Sequence, residues 1–431
     1  MSDVLQKKGE LSPLSVPPRN TSMVAGSFNL IKSAVGTGIL TLPKSIANCG
    51  LYFGVVILAF CSLATTSTLH FLSRVAANTD QGDYFAIGKL AYGNLGEIFS
   101  VIATLFYLIG GLIGYSVFAG RFIRTPLAVW TNTKNIDSVW YFSMPVVVTA
   151  CAILIFPIAC LRDLSKLAKA SIVGMICMTL ICGLTVFDYF FDSPLNPPTI
   201  NTIVFSTSAI RGFSNMVFAF CNHFTMLAIV PQFVNPTPKR RAILTGLSST
   251  VVFIFYLLVS VFGYLHFGEG VSDIVLLVDS RKTSNAYCIA QLLVAAVIIC
   301  SYPLLCDPAK SCFDFLVTKV IGPTSPSTAG VRNITITATL VGFSALVGMF
   351  FYQIVLPILG AFTSLWGSFL MFIFPAAFFL KLGGKYRVSP LEKSIAYAVL
   401  VLGVALMIFG TYFNVIECYD ALKALRPPAD N

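Results

Sequence analysis

The sequence predicts an all-α integral membrane protein of eleven transmembrane helices, and three observations carry that prediction. Of 431 residues, 56% are hydrophobic and 11% charged, against about 25% charged in an ordinary soluble domain. The mean hydropathy is +0.84. The apolar residues are gathered into continuous runs, and about 20 such residues in a helix cross the roughly 30 Å of a bilayer's hydrocarbon. A chain so poor in charge cannot keep its surface in water. A soluble enzyme, a disulfide scaffold, a coiled coil and a disordered tail protein are therefore excluded. The runs are also too long and too continuous for barrel strands, which alternate over about 10 residues.

Residues 1–22 are polar and contain Pro13, Pro17 and Pro18, which predicts a disordered cytosolic tail with no cleavable signal. Span 1 (24–47) holds the most informative irregularity, Ser33-Ala34-Val35-Gly36-Thr37-Gly38-Ile39-Leu40-Thr41-Leu42-Pro43. Two glycines and a proline so close together weaken a helix at mid-membrane depth. Freed backbone is tolerated there where it is buried in protein or lines a wet cavity. Close helix packing is the alternative use of the glycines, but packing does not favour Pro43. Span 2 (51–73) is uninterrupted. Span 3 (95–123) carries Tyr107 and Tyr115, and spans 4 and 5 (139–160 and 168–190) are plain apolar runs.

Span 6 (207–231) is interrupted again, by Phe218-Ala219-Phe220-Cys221-Asn222-His223-Phe224 between Asn215 and Pro231. An Asn and a His at that depth either bond a neighbouring helix or mark a functional site. Spans 7 to 11 are read at 243–267, 286–306, 332–353, 356–380 and 394–414, followed by an extracytosolic tail over 415–431. Interruptions five spans apart are the pattern of two inverted five-helix repeats whose broken helices meet at the midplane. The repeats would be 23–190 and 207–380, with span 11 added.

The net charge of +10 does not indicate a nucleic-acid partner, because the basic residues form short clusters between spans, as topology signals do. With the N-terminus in the cytosol, 18 of the 28 Lys and Arg fall inside, 7 outside, and Lys32, Lys44 and Arg211 within spans. That asymmetry orients the chain, N-terminus inside and C-terminus outside. The sequons at Asn20 and Asn333 then stay cytosolic and unmodified. Most of the twelve cysteines lie in apolar runs as packing residues. Cys49, Cys288 and Cys418 fall near span ends on one side, where a single bridge is conceivable.

An ordered set of fragments resembles the amino acid/auxin permease family, within the amino acid–polyamine–organocation group. Phe28-Asn29-Leu30-Ile31, Gly36-Thr37-Gly38-Ile39-Leu40 and Leu42-Pro43 resemble its opening motif. Gly114-Tyr115 with Gly120, Phe218-Ala219-Phe220 with Asn235-Pro236-Thr237-Pro238-Lys239-Arg240, and Gly263-Tyr264 with Phe267-Gly268 and Ile274-Val275-Leu276-Leu277 follow in order. Ser301-Tyr302-Pro303-Leu304 and Gly360-Ala361 with Pro375 complete the set, which runs from about residue 23 to 414. Arg121, the Cys221-Asn222-His223 segment and Asp307 depart from the family pattern. The resemblance implies a leucine-transporter-like fold and a secondary active amino acid transporter, a symporter in the plasma membrane or a vacuolar or lysosomal membrane.

A zwitterionic amino acid needs both its charges met in low dielectric. Backbone N–H groups around Thr37, Gly38 and Ile39 suit the carboxylate at a helix start. Carbonyls near Ser33, Ala34, Phe218 and Cys221 suit the ammonium, and glycine at 36 and 38 leaves room for the head group. Side-chain selectivity is expected from Phe220, Asn222 and His223 of span 6, from Tyr107 and Tyr115 of span 3, and from span 8. No Asp or Glu lies mid-span, so a carboxylate proton relay is not expected. Sodium would use hydroxyls such as Ser301 with span 1 carbonyls. Protons would use His223, the histidine nearest mid-membrane, and the residues lean slightly that way. No resident cofactor, metal site or enzymatic constellation is expected, since the three histidines lack ligand spacing such as His-x-x-x-His. A channel or a non-transporting sensor of the same fold is the alternative.

Overall fold

The computed structural model describes residues 19–133, 136–161, 165–192, 198–272, 274–277, 284–323, 325, 327–383 and 388–424. Most of the N-terminal tail, the end of the C-terminal tail and the loop cations Lys134, Arg162, Arg281, Lys282, Lys385 and Arg387 lie outside the described residues. Among those described the chain is helical throughout, and strand geometry is limited to one isolated bridge between Thr21 and Phe233.

The helices begin where the sequence offers caps. Ser22 accepts from Ala25 N at 3.2 Å and starts α1 (Met23–Ala34). A 3-10 turn over Thr37–Thr41 leads into α2 (Leu42–Cys49), with Pro43 in its first turn, where a missing N–H is harmless. Gly50, at φ +81°, separates α2 from α3 (Leu51–Thr79). A Cβ there would lie 2.7 Å from the Ile203 backbone, because residues 201–204 cross this corner and bond Leu51, Tyr52 and Cys49. Asp83 caps α4 (Tyr84–Trp130), which kinks at Tyr92 and Gly93. Span 3, expected from residue 95, is the part after that kink.

Next come α5 (Met144–Ala159), α6 (Ser165–Phe191), α7 (Thr207–Ala219) and α8 (His223–Ile229). Thr237 caps α9 (Pro238–Phe267), which is followed by α10 (Asn285–Ile321). The latter runs 15 residues beyond the expected end at 306, with Pro303 and Pro308 inside it. The chain then forms α11 (Ala329–Phe351), α12 (Val355–Phe362), two π-helical turns at Thr363–Gly367 and Phe369–Ile373, and α13 (Phe374–Leu382). Ser389 and Glu392 form a capping box on α14 (Pro390–Ala405). A π turn and α15 (Thr411–Ala424) continue it, so helix extends into the segment expected as a tail from 415.

Among the described residues, eight helical stretches are long and apolar enough to cross a membrane, or nine with the bent pair of span 1. This is fewer than the eleven expected, for two reasons. At 16 residues, α5 is short for a crossing. Ala329–Leu382 counts as one stretch, yet its 54 residues would extend roughly 80 Å at about 1.5 Å each, more than twice the bilayer core. Large apolar side chains such as Leu63, Ile153, Phe350 and Val401 stand exposed on the outside, as lipid contact requires, while buried polar groups gather inside. The protein is a multi-pass membrane protein. All twelve cysteines are unbridged, including Cys49, Cys288 and Cys418.

Candidate functional site

Spans 1 and 6 are both broken. In span 1 the last helical bond runs from Val35 N to Ile31 O at 2.8 Å, and Gly36 N then turns back to Ala34 O at 2.7 Å. The two halves, Met23–Ala34 and Gly38–Cys49, bend by 44°. Thr41 Oγ1 donates to Gly38 O at 2.9 Å and steadies the restart. In span 6, α7 closes with Phe220 N on Val217 O and Cys221 N on Phe218 O, and α8 starts at His223. Asn222 precedes α8 without capping it; its side-chain amide reaches across to Leu30 O at 3.4 Å.

The two breaks touch. A Cβ on Gly38 would lie 3.0 Å from Ala219 Cα and 3.2 Å from Ala219 Cβ. The Tyr256 hydroxyl, on α9, lies within hydrogen-bonding distance of both Ala34 O and Ala219 O. Near the end of α1, Thr225 Oγ1 donates to Ser33 Oγ at 2.6 Å.

A cavity of about 440 Å³ opens where the breaks meet, within the usual range of about 300–1,000 Å³ for small-molecule sites. It runs from Gly36 and Gly38 towards the end of the bundle that carries Thr21, Gln232 and Pro308. Gly38 and Phe218 separate it from a second space of about 10 Å³, which Asn215, Leu359 and Thr363 help to enclose. Its wall combines aromatic surface with a few polar groups. Tyr107 stacks on Phe224 with ring centres 5.8 Å apart, and Cys221 shares the cavity wall with it. Among the described lining residues Lys32 is the one formally charged side chain, and none is acidic. A cationic group on a ligand would therefore meet carbonyls, hydroxyls and ring faces.

Of the residues expected at a site, the structure brings Ser33, Gly36, Gly38, Tyr107, Tyr115, Phe218, Cys221 and Ser301 to this one cavity. Thr37 contributes backbone at the break, and its side chain lies outside what is described. Ile39 is buried behind the break. Phe220 is buried against Tyr256, ring centres 4.9 Å apart. Asn222 is buried on Leu30 O, and His223 is fully buried with Nε2 2.9 Å from Thr68 Oγ1. None of these four lines the cavity.

Sequence reasoning missed Tyr256, Asn29 and Thr225. A tyrosine hydroxyl in the middle of an apolar span requires a partner, and that was the available signal for Tyr256. Asn29 and Thr225 join Lys32 and Ser33 on the cavity wall. Pro308 also lines the wall and has no N–H for the Leu304 carbonyl one turn earlier, so an acceptor is left over at Leu304, another lining residue.

A family profile described as transmembrane amino acid transporter protein matches residues 19–416. The chain is similar to the putative sodium-coupled neutral amino acid transporter 11 of Rattus norvegicus, 25% identical over 408 residues, covering 93% of this chain and 86% of the relative. The Danio rerio protein of the same description is 26% identical over 399 residues, covering 91% and 86%. Sodium-coupled neutral amino acid symporter 2 of Danio rerio is 24% identical over 420 residues, covering 90% and 81%. The family match spans nearly the whole chain, as the ordered motifs implied: the chain belongs to the transmembrane amino acid transporter family, and it carries its substrate rather than converting it.

Proposed function

We propose that the chain is a sodium-coupled carrier of neutral amino acids that works by alternating access around the two breaks. One observation carries the reading: unwound backbone from spans 1 and 6 meets at a single cavity with aromatic walls and no described carboxylate. Backbone N–H groups at Thr37 and Gly38 would hold the substrate carboxylate, since a helix start presents donors and a positive dipole end, while Ile39 N is engaged with Gly36 O at 3.3 Å. Carbonyls at the ends of the first halves would hold the ammonium. Tyr107, Tyr115, Phe218 and Cys221 would meet the side chain. The neutral amino acids named for the relatives suit this wall, because Lys32 would disfavour a cationic side chain.

The reading includes eleven spans, as two inverted five-helix repeats over 23–190 and 207–380 with span 11 added. It takes α5 as a short crossing and divides Ala329–Leu382 near Tyr352–Ile354, where a 3-10 turn interrupts it. The cavity then opens to the cytosol, which makes this an inward-facing form.

Sodium is favoured as the coupling ion over protons. Ser301 lies on the cavity wall beside Leu304, whose carbonyl lacks its helical donor, and hard cations bind oxygen ligands. The relatives' names point the same way. Protons are the second reading, favoured by the buried Nδ1 of His223, which has no hydrogen-bond partner. The test is uptake of individual amino acids by reconstituted protein under imposed gradients. Concentrative, saturable uptake of neutral amino acids driven by inward sodium supports the reading. Uptake driven by protons alone contradicts the coupling, and passive flux contradicts the carrier.

A further inference from the structure

Tyr256 has no place in the substrate contacts derived so far, yet it touches both breaks. Its side chain is fully buried in the middle of α9, and its ring packs against Phe220 at the break of span 6. Its hydroxyl lies within hydrogen-bonding distance of Ala34 O and Ala219 O. These are matching atoms: each belongs to the last residue of a helical half, α1 in one case and α7 in the other. In an unbroken helix Ala34 O would pair with Gly38 N, and Ala219 O with His223 N. Tyr256 instead bridges the two ends, and both alanines line the cavity.

A phenolic hydroxyl has one proton to give. It donates fully to one of the two carbonyls at a time and leaves the other with a lone pair open, Ala34 O keeping in either case its bond from Gly36 N at 2.7 Å. An ammonium group has three donors and would enter at the edge of this pair of carbonyls. We propose that Tyr256 is a positioning residue: a clasp that holds the ends of the two half-helices at the separation the substrate's ammonium group requires, and leaves one carbonyl acceptor for it. The inference rests on the substrate reading above and deepens it. Without the clasp, the spacing of Ala34 O and Ala219 O is no longer fixed by a shared donor. The Gly38–Ala219 contact alone does not fix it, because that contact joins different atoms.

The test compares Tyr256→Phe with Tyr264→Phe in proteoliposomes. Tyr264 is an equally buried tyrosine on the same helix, but its hydroxyl bonds Asn201 and Glu269, away from the breaks. Tyr264→Phe therefore measures what losing a buried hydroxyl does to the fold. Tyr256→Phe is expected to raise the KM for a neutral amino acid about tenfold while Vmax per molecule stays within about twofold. Tyr264→Phe is expected to leave KM unchanged. A second readout does not need transport: alkylation of Cys221, half-buried on the cavity wall two residues after Ala219, followed by mass spectrometry of its peptide. Loosening the break is expected to speed that alkylation by about fivefold in Tyr256→Phe. Unchanged KM and unchanged Cys221 reactivity overturn the clasp. So does an equal loss of Vmax in both variants with no change in KM. Wild-type protein that takes up no neutral amino acid refutes the substrate reading instead, and Cys221 reactivity still decides the clasp.

Discussion

The α-carbon of Gly38 faces Ala219 so closely that any side chain on it would meet the Ala219 backbone, with a Cβ 3.0 Å from Cα. Gly36, two residues earlier, has open space instead: a Cβ there would lie 3.9 Å from both Ala34 O and the Tyr115 hydroxyl. The two glycines thus do different work. Gly38 lets the broken parts of spans 1 and 6 touch, and Gly36 leaves room on the cavity side.

Substitutions at the two positions should separate accordingly. Gly38→Ala is expected to lower uptake per molecule at least about tenfold, because backbone cannot move aside as a flexible side chain can. Gly38→Leu should abolish uptake while protein still reaches the membrane. Gly36→Ala should retain much of the activity. Gly110→Leu is the control for simple packing, since its Cβ would meet Phe362 at 2.9 Å; it should reduce expression more than uptake per molecule. Normal uptake by well-expressed Gly38→Leu would remove the contact between the breaks from the mechanism.

Ser301 separates the two coupling ions. Ser301→Ala removes one oxygen ligand and should raise the sodium concentration for half-maximal uptake about tenfold, equivalent to about 1.4 kcal/mol. The KM for substrate at saturating sodium should change little. Uptake by this variant that keeps the wild-type sodium dependence would point away from Ser301.

His223 should behave as a structural residue in this account. Thr68 Oγ1 lies 2.9 Å from both Thr65 O and His223 Nε2, and among the described residues it is the one hydrogen-bond partner of the buried ring nitrogen. Thr68→Val leaves that nitrogen buried and unpaired and should destabilise the protein by about 1–3 kcal/mol, read as a lower Tm in detergent. The sodium dependence of uptake should not move. Loss of proton-driven uptake in His223→Ala at unchanged Tm would instead favour the proton reading.

The topology is checked by tags at residues 2 and 431. Eleven crossings put them on opposite sides, with residue 2 cytosolic. Protection of both tags on one side would remove a crossing, and α5, the shortest candidate, would be the first to lose that role.

The breaks were legible because glycine, proline and polar residues inside an apolar run cost free energy at membrane depth unless the backbone there lines a cavity or packs against a neighbour. Gly36, Gly38 and Pro43 marked one break, and Cys221-Asn222-His223 the other. The direction of each side chain was not legible. A break resets helical phase, so Asn222 and His223 do not continue the face presented by Phe218. They turn to Leu30 O and Thr68, and Cys221 alone of the three lines the cavity. Tyr256 was hidden for another reason: in an apolar window an aromatic residue reads as hydrophobic, and its hydroxyl matters only once two other spans are in place. The extension of α10 past 306 was not legible because Asp307, Pro308 and Lys310 end the apolar run there, whereas the surrounding helices hold the segment in a helix.

The most direct measurement is the protection of Cys221 by substrate in the wild-type protein. Cys221 lies at the span 6 break on the cavity wall, beside Tyr107. If a neutral amino acid binds where the breaks meet and sodium supports that binding, a saturating amino acid should slow alkylation of Cys221 when sodium is present. Replacing sodium by choline should remove most of that protection. Saturable uptake of the same amino acid with Cys221 alkylated at one rate, with or without substrate and sodium, would contradict the account and move the binding site away from the two breaks.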